Sequence, residues 1–275
     1  MSKTKTPIGI FDSGIGGLTV LNEIQNLMPE YDYLYLGDSA RAPYGTRSFE
    51  IVYSYTLQAV EKMFEMGCEL VILACNTASA KALRTIQQND LPRIGVNKRV
   101  LGVIRPTSEV IGDLSPTKNI GIFATEGTVK SESYLIEINK FFPQCNVSQL
   151  ACPLWVPLIE NNEIHTGGSD YYIKKKVDEL LSLNPEIDTI LLGCTHYPVI
   201  SSEIESFLPS SVKVLSQGEI VAKSLQNYLL RHSEIKDKIT TNGLIDYYTT
   251  ENTEGFMSKS KIFLNKSISA KKITL

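Results

Sequence analysis

A short internal duplication constrains this chain more than any other feature. Ile8-Gly9-Ile10-Phe11 recurs letter for letter as Ile120-Gly121-Ile122-Phe123. Further along, the apolar run that ends at Cys75-Asn76-Thr77 is matched by a second run ending at Cys194-Thr195-His196. Two matches in the same order, at nearly the same separation, predict two structurally related halves. A chain of 275 residues is long for one compact core, which also favours two modest domains.

Strand-length apolar runs alternate with helical spacing along the chain. Residues 8–12 read as a strand, and a turn with Gly14, Gly16 and Gly17 leads into a helical pattern over Leu18–Met28. Tyr33–Leu36 is the next strand, followed by a helix from Phe49 to Met66 and an unbroken apolar strand, Leu70–Ala74. The pattern predicts helices at 78–88, 106–114, 128–142, 169–183, 200–207 and 218–231, with strands at 93–96, 119–123, 146–151, 188–192 and 212–215. Such alternation implies the α/β class: two pseudosymmetric, doubly wound parallel-sheet domains with the active site between them. The expected division gives a first domain of 1–98 plus 214–275 and a second of 99–213. The last segment, with Tyr247 to Thr250 and a lysine-rich end, is less regular and is expected to pack on the first half.

Hydrophobic residues at 43% and charged ones at 21% suit an ordinary globular interior. A formal charge of -3 without a basic stripe gives no support to a nucleic-acid partner. The amino terminus lacks the apolar core of a secretory signal, and no apolar run approaches the ~20 residues that span a bilayer. No membrane partner and a cytoplasmic location are therefore expected. Five cysteines without a Cys-x-x-Cys pair suggest reduced thiols.

In doubly wound folds ligands bind beyond the carboxyl ends of the strands. The unusual polar clusters all fall there: Asp12-Ser13, Tyr44-Gly45, Cys75-Asn76-Thr77, Thr125 to Thr128 and Cys194-Thr195-His196. Gly14-Ile-Gly16-Gly17 matches neither the Walker pattern nor the dinucleotide pattern. It suits a tight turn where N–H groups and the Ser13 hydroxyl meet a small anion such as a carboxylate. Cys68, Cys145 and Cys152 read as inert core thiols. Cys75 and Cys194 differ, because each precedes hydrogen-bonding residues and a helix start, where free N–H groups favour thiolate. His196 beside Cys194 reads as a proton partner. Asp12 reads either as a helix cap or as the first half's counterpart of His196. A metal site of Cys75, Cys194 and His196 ranks below a two-base site, so no metal is expected.

With these motifs in hand, the chain resembles the glutamate racemases from about Pro7 to Tyr228. The resemblance rests on Asp12-Ser13-Gly14-x-Gly16-Gly17, Pro43-Tyr44-Gly45, Cys75-Asn76-Thr77-Ala78, Ala124-Thr125-x-Gly127-Thr128, Ala151-Cys152-Pro153-Leu154 and Gly193-Cys194-Thr195-His196-Tyr197-Pro198. It implies a cofactor-independent enzyme that supplies D-glutamate for peptidoglycan, with Cys75 and Cys194 as the two acid/bases. It further implies that Asp12, Ser13, Pro43, Tyr44, Gly45, Asn76, Thr77, Thr195 and His196 contact substrate or support the thiols. Thr125 and Thr128 would add contacts from the second domain, and Glu160 matches a carboxylate that assists the second half-reaction. The segment 96–107 departs from the family pattern with a more basic start and Pro106-Thr107-Ser108. A homodimer is left open.

Two thiols facing one carbon from opposite domains suit inversion of a stereocentre. One takes the α-proton while the other supplies a proton from the far side. The nearest alternative is a racemase of another acidic amino acid, such as aspartate. The alternative from another class is a two-domain protein that clamps a small carboxylate without turning it over.

Overall fold

The computed structural model describes residues 6–275. The segment 1–5, part of the amino terminus considered above for a leader, lies outside the described residues. Ten strands run in chain order among the described residues: β1 Ile8–Asp12, β2 Tyr33–Gly37, β3 Leu70–Leu73, β4 Arg99–Gly102, β5 Asn119–Ala124, β6 Asn146–Ala151, β7 Thr189–Gly193, β8 Lys213–Leu215, β9 Ile245–Thr249 and β10 Ala270–Lys272. They form a six-stranded sheet ordered β10-β9-β2-β1-β3-β4 and a four-stranded sheet ordered β6-β5-β7-β8. All pairings between these strands are parallel.

The duplication is visible in this order. β2-β1-β3-β4 and β6-β5-β7-β8 follow one plan, with the repeated Ile-Gly-Ile-Phe as the central strand of each. The glycine in the repeat has a packing reason. A methyl at Gly9 would stand 2.8 Å from Met63 Cε, and one at Gly121 would stand 2.8 Å from Leu180 Cδ2. In each half, the missing side chain lets a crossover helix, Phe49–Glu65 or Gly167–Leu183, settle onto the sheet. β1, β3 and β7 are buried along their whole length, as expected where helices cover both faces. Each isoleucine fully buried there contributes roughly 1.5–3 kcal/mol.

Helix Leu18–Leu27 shows how the pattern builds the core. Leu18, Leu21 and Ile24 recur at helical spacing and are buried with Val20, while Asn26 and Leu27 face solvent.

The structure corrects several boundaries. The expected strand 93–96 is the end of a helical run, a π turn at Ile86–Asp90 followed by helix Leu91–Ile94. Pro92 is tolerated there because the first turn of a helix lacks N–H partners in any case. The fourth strand lies later, at Arg99–Gly102, and pairs with β3. The expected second domain, 99–213, therefore begins with a strand of the first sheet, and its end cuts into β8 of the second. The chain crosses between sheets after Gly102 and again after Leu215.

The expected helix 106–114 is two short helices, Ile104–Ser108 and Ile111–Leu114. The expected helix 128–142 is also two, Glu126–Lys130 and Ser133–Phe141, separated by Glu132 in the left-handed region. The last segment does pack on the first half, but as regular structure: β9 and β10 extend its sheet, with helix Thr253–Leu264 between them. Among the described residues no helix is long and apolar enough to cross a membrane.

Candidate active site

In both sheets the order of strands leaves a crevice beyond the carboxyl ends of the first and third strands, where the connections switch direction. Ser13 follows β1 and Cys75 follows β3, while Thr125 follows β5 and Cys194 follows β7. The two crevices face each other across one cavity of about 390 Å³. That volume lies at the small end of ligand pockets and suits a small molecule.

Both thiols line this cavity, as do Ser13, Pro43, Tyr44, Gly45, Asn76, Thr77, Thr125, Glu160, Thr195 and His196. Asp12 and Thr128 do not. Both are fully buried and stand behind the wall. Thr128 Oγ1 lies 3.0 Å from Thr125 Oγ1, and the Thr125 hydroxyl is in turn 2.9 Å from Thr77 Oγ1 across the two halves. Asp12 accepts from Gly14 N at 2.9 Å and from Thr195 Oγ1 at 3.5 Å, so its carboxylate also joins the halves. Burial raises its pKa above the ordinary carboxylate range, although His196 and the backbone N–H donors oppose this.

The matching strand ends are chemically unequal. Cys75 is the N-cap of helix Asn76–Lys81: its sulfur accepts from Ala78 N at 3.4 Å and lies 3.3 Å from Ser13 Oγ. The helix start favours thiolate as expected, through the Ala78 N–H, but burial outweighs it. Burial pushes the Cys75 thiol up to about 12 and the charge of Asp12 adds to this, against the weaker pull of Ser13 and Ala78.

Cys194 leads instead into a 3₁₀ turn, Tyr197–Ile200, and its Sγ lies 3.9 Å from His196 Nδ1. His196 Nε2 is 3.0 Å from Glu160 Oε1, and Glu160 Oε2 is 3.2 Å from Lys259 Nζ. Burial alone would lower the pKa of His196. Cys194 and Glu160 outweigh it and raise the imidazole to about 10. Glu160 is desolvated too, yet His196 and then Lys259 hold it near 2. The second thiol therefore has a cationic imidazole beside it, ready to balance negative charge whenever its proton leaves.

The loop before the second helix closes one side. Tyr44 donates its hydroxyl to Asp38, whose carboxylate also takes Arg41 Nε at 2.6 Å and Thr250 Oγ1 at 2.9 Å. Gly45 O accepts from Gly127 N at 2.7 Å, tying the loop to the second half. A side chain at Gly127 would collide with that carbonyl at 2.8 Å.

Sequence reasoning missed part of the wall. Cys152, Pro153, Val156, Pro157 and Asn161 also line the cavity. Cys152 and Pro153 belong to a motif that was read for resemblance and not for contact, and Asn161 carried no signal. Burial keeps the Cys152 thiol well above its ordinary range.

Comparison with known proteins agrees with this geometry. The model of the family Asp/Glu/Hydantoin racemase matches residues 18–225. A glutamate racemase from Ruegeria sp. (strain TM1040) is 41% identical over 271 residues, covering 95% of this chain and 97% of that protein. The chain belongs to the Asp/Glu/hydantoin racemase family, among its glutamate racemases. The crystal structure of a glutamate racemase isoform from Bacillus anthracis superposes with a TM-score of 0.89 at 31% identity, covering 98% of each chain. That of the Francisella tularensis glutamate racemase in complex with D-glutamate gives 0.87 at 30%, again over 98% of each. Two-domain racemase architecture thus extends over nearly the full chain.

Proposed function

We infer that the protein is a glutamate racemase that interconverts L- and D-glutamate without a cofactor and supplies D-glutamate for peptidoglycan synthesis. One observation carries the reading: two thiols on equivalent strand ends of two related sheets share one small cavity.

The α-proton of glutamate is not acidic enough to leave unaided. One cysteine, as thiolate, takes it from one face, leaving the bonding pair on the α-carbon. The other cysteine, as thiol, delivers its own proton to the opposite face and becomes the thiolate. The product is the mirror image, and the two thiols have exchanged protonation states. Fixing both sulfurs and the carbon in line supplies up to ~7–11 kcal/mol of the barrier reduction. Ser13, Asn76, Thr77 and Thr195 supply neutral donors for the substrate carboxylates as charge builds during proton removal.

The supporting groups differ on the two sides. Asp12 is a fitting proton acceptor near Cys75 because burial raises its basicity above that of an ordinary carboxylate. On the other side, the imidazolium of His196, oriented by Glu160, balances Cys194 as it gains and loses its proton. The cytoplasm is the proposed compartment, in keeping with five cysteines that are all free.

The test is proton NMR in D₂O with purified protein and either enantiomer of glutamate. The expected result is loss of the α-proton signal, with optical rotation falling to zero from both sides. Because enantiomers are equal in free energy, kcat/KM must be the same in both directions. The Cys75→Ser and Cys194→Ser variants should each lose net racemisation by on the order of 10²–10⁴-fold. Normal turnover by either variant would refute the two-thiol scheme, and exchange with aspartate alone would reassign the substrate.

A further inference from the structure

The carboxyl-terminal helix, Thr253–Leu264, belongs to the first half but reaches residues of the second. It is anchored by Phe256, which is buried with its ring centroid 6.2 Å from that of Tyr35 on β2. One turn further on, Lys259 Nζ lies 3.2 Å from Glu160 Oε2. A further turn on, Phe263 sets its ring edge-on to His196 with centroids 5.3 Å apart and planes at 90°. Lys259 and Phe263 are four residues apart and so share a helix face. Two side chains of one helix therefore touch the two members of the His196–Glu160 pair.

We propose that Lys259 and Phe263 are positioning residues for the Cys194 half of the reaction, holding Glu160 and His196 in the arrangement that serves this thiol. The proposal rests on the racemase reading above. Glu160 has two oxygens and two partners. With Lys259 holding Oε2, Oε1 is turned to His196 Nε2, and His196 Nδ1 then faces Cys194. Phe263 blocks the ring from swinging out of this line. Cys75 has no such strap, because its partners Ser13 and Ala78 both lie in the first half, as Cys75 does. The C-terminal helix thus gives the second thiol a support from the opposite domain, and the relay is complete only when the two halves hold their present relation.

Lys259 is about half exposed, so its replacement leaves the core intact. The titratable groups facing His196 are Cys194 on its own loop, Glu160 from helix Trp155–Glu160, and Asp12 from the first sheet. With only three histidines in the chain, its ring signals can be assigned by substitution.

The experiment follows His196 by NMR titration and racemisation by kcat, in wild type, Lys259→Met and Lys259→Arg. Losing the Lys259 charge would by itself raise the His196 midpoint, so loss of the aligned Glu160 carboxylate is read as the opposite change. In Lys259→Met the midpoint should fall, with kcat lower by on the order of fivefold. Lys259→Arg should restore both. In a Glu160→Gln background Lys259→Met should add no further loss, since its route is through that carboxylate. Phe263→Leu should lower kcat without the same effect of the Glu160 background. A His196 midpoint that rises or stays in Lys259→Met, or losses that simply add to those of Glu160→Gln, would overturn the proposal. The titration is independent of turnover, so a wild-type protein that fails to racemise glutamate would refute the function and leave the positioning role still measurable.

Discussion

His196, from one half of the molecule, fills the space that a side chain on Gly16 of the other half would need. A methyl on Gly16 would stand 2.4 Å from His196 Nδ1 and 2.5 Å from Thr195 Oγ1. The glycine turn after β1 therefore does more than open a helix: its missing side chain is the seat of the imidazole that serves the second thiol.

Gly16→Ala should accordingly cost activity far more than stability. His196 is buried and held on its other sides by Glu160 and Phe263, so it must shift as a unit. Displacement of a catalytic group by about 1 Å can cost on the order of 100-fold. Steady-state kinetics beside a thermal melt would check this. A variant with normal kcat would show that the ring has another place to sit.

The His196–Glu160 pair also predicts how stability changes with pH. Glu160 sits near 2 in the folded protein against an ordinary 4.5, so its contribution is present above 4.5 and is lost as pH falls towards 2. His196 is raised to about 10 from 6.5, so its contribution is full below 6.5 and is lost as pH rises through about 10. Calorimetry across pH should find the Tm gap between wild type and Glu160→Gln widest between these limits and narrowing on both sides. A gap constant with pH would mean that the pair is not ionised as described.

A second polar knot lies where the chain crosses between sheets. Asn76 Nδ2 donates to Gln217 Oε1 at 2.7 Å, and Tyr134 donates its hydroxyl to Asn76 Oδ1 at 2.6 Å. Gln217 Nε2 donates to Thr107 Oγ1 at 3.0 Å and lies 2.5 Å from the Tyr134 hydroxyl. Gln217→Leu would strand Asn76, a neighbour of Cys75, and leave buried polar atoms unpaired. Urea denaturation should show a loss of about 1–3 kcal/mol for each group so left, and kcat should fall with it.

Packing of the repeated glycines can be tested without touching the site. Gly9→Ala and Gly121→Ala each press on a crossover helix, at Met63 and Leu180 respectively. Each should destabilise by about 1–3 kcal/mol in denaturant melts while the KM for glutamate stays unchanged. A neutral result at only one site would show that the halves pack differently beneath the shared motif.

Much of this architecture was legible because its signals are local. Apolar runs ending in Cys75 and Cys194 declare buried parallel strands, and the residues after them fall where such sheets bind ligands. The strand expected at 93–96 went astray because Ile94 and Val96 have strand-like side chains, while the helix there depends on Pro92 at a first turn. The raised thiol at Cys75 was not legible because a sequence shows the helix start but not the depth of burial that outweighs it. Glu160 could be named only through family resemblance, and Lys259 not at all. Its contact depends on a helix returning across the molecule from 99 residues away in sequence.

The route of the chain through the two sheets also fixes an order of completion. The second sheet is contiguous in sequence and has all its strands once Leu215 has been made. The first sheet, though begun earlier, waits for β9 and β10, and β9 must find β2 across about three-quarters of the polypeptide. On the ribosome, the domain that starts second is therefore free to finish first. A chain cut short before Ile245 would carry both thiols and still lack two strands and the helix that reaches His196, so it would hold its reactive groups without the frame that aligns them.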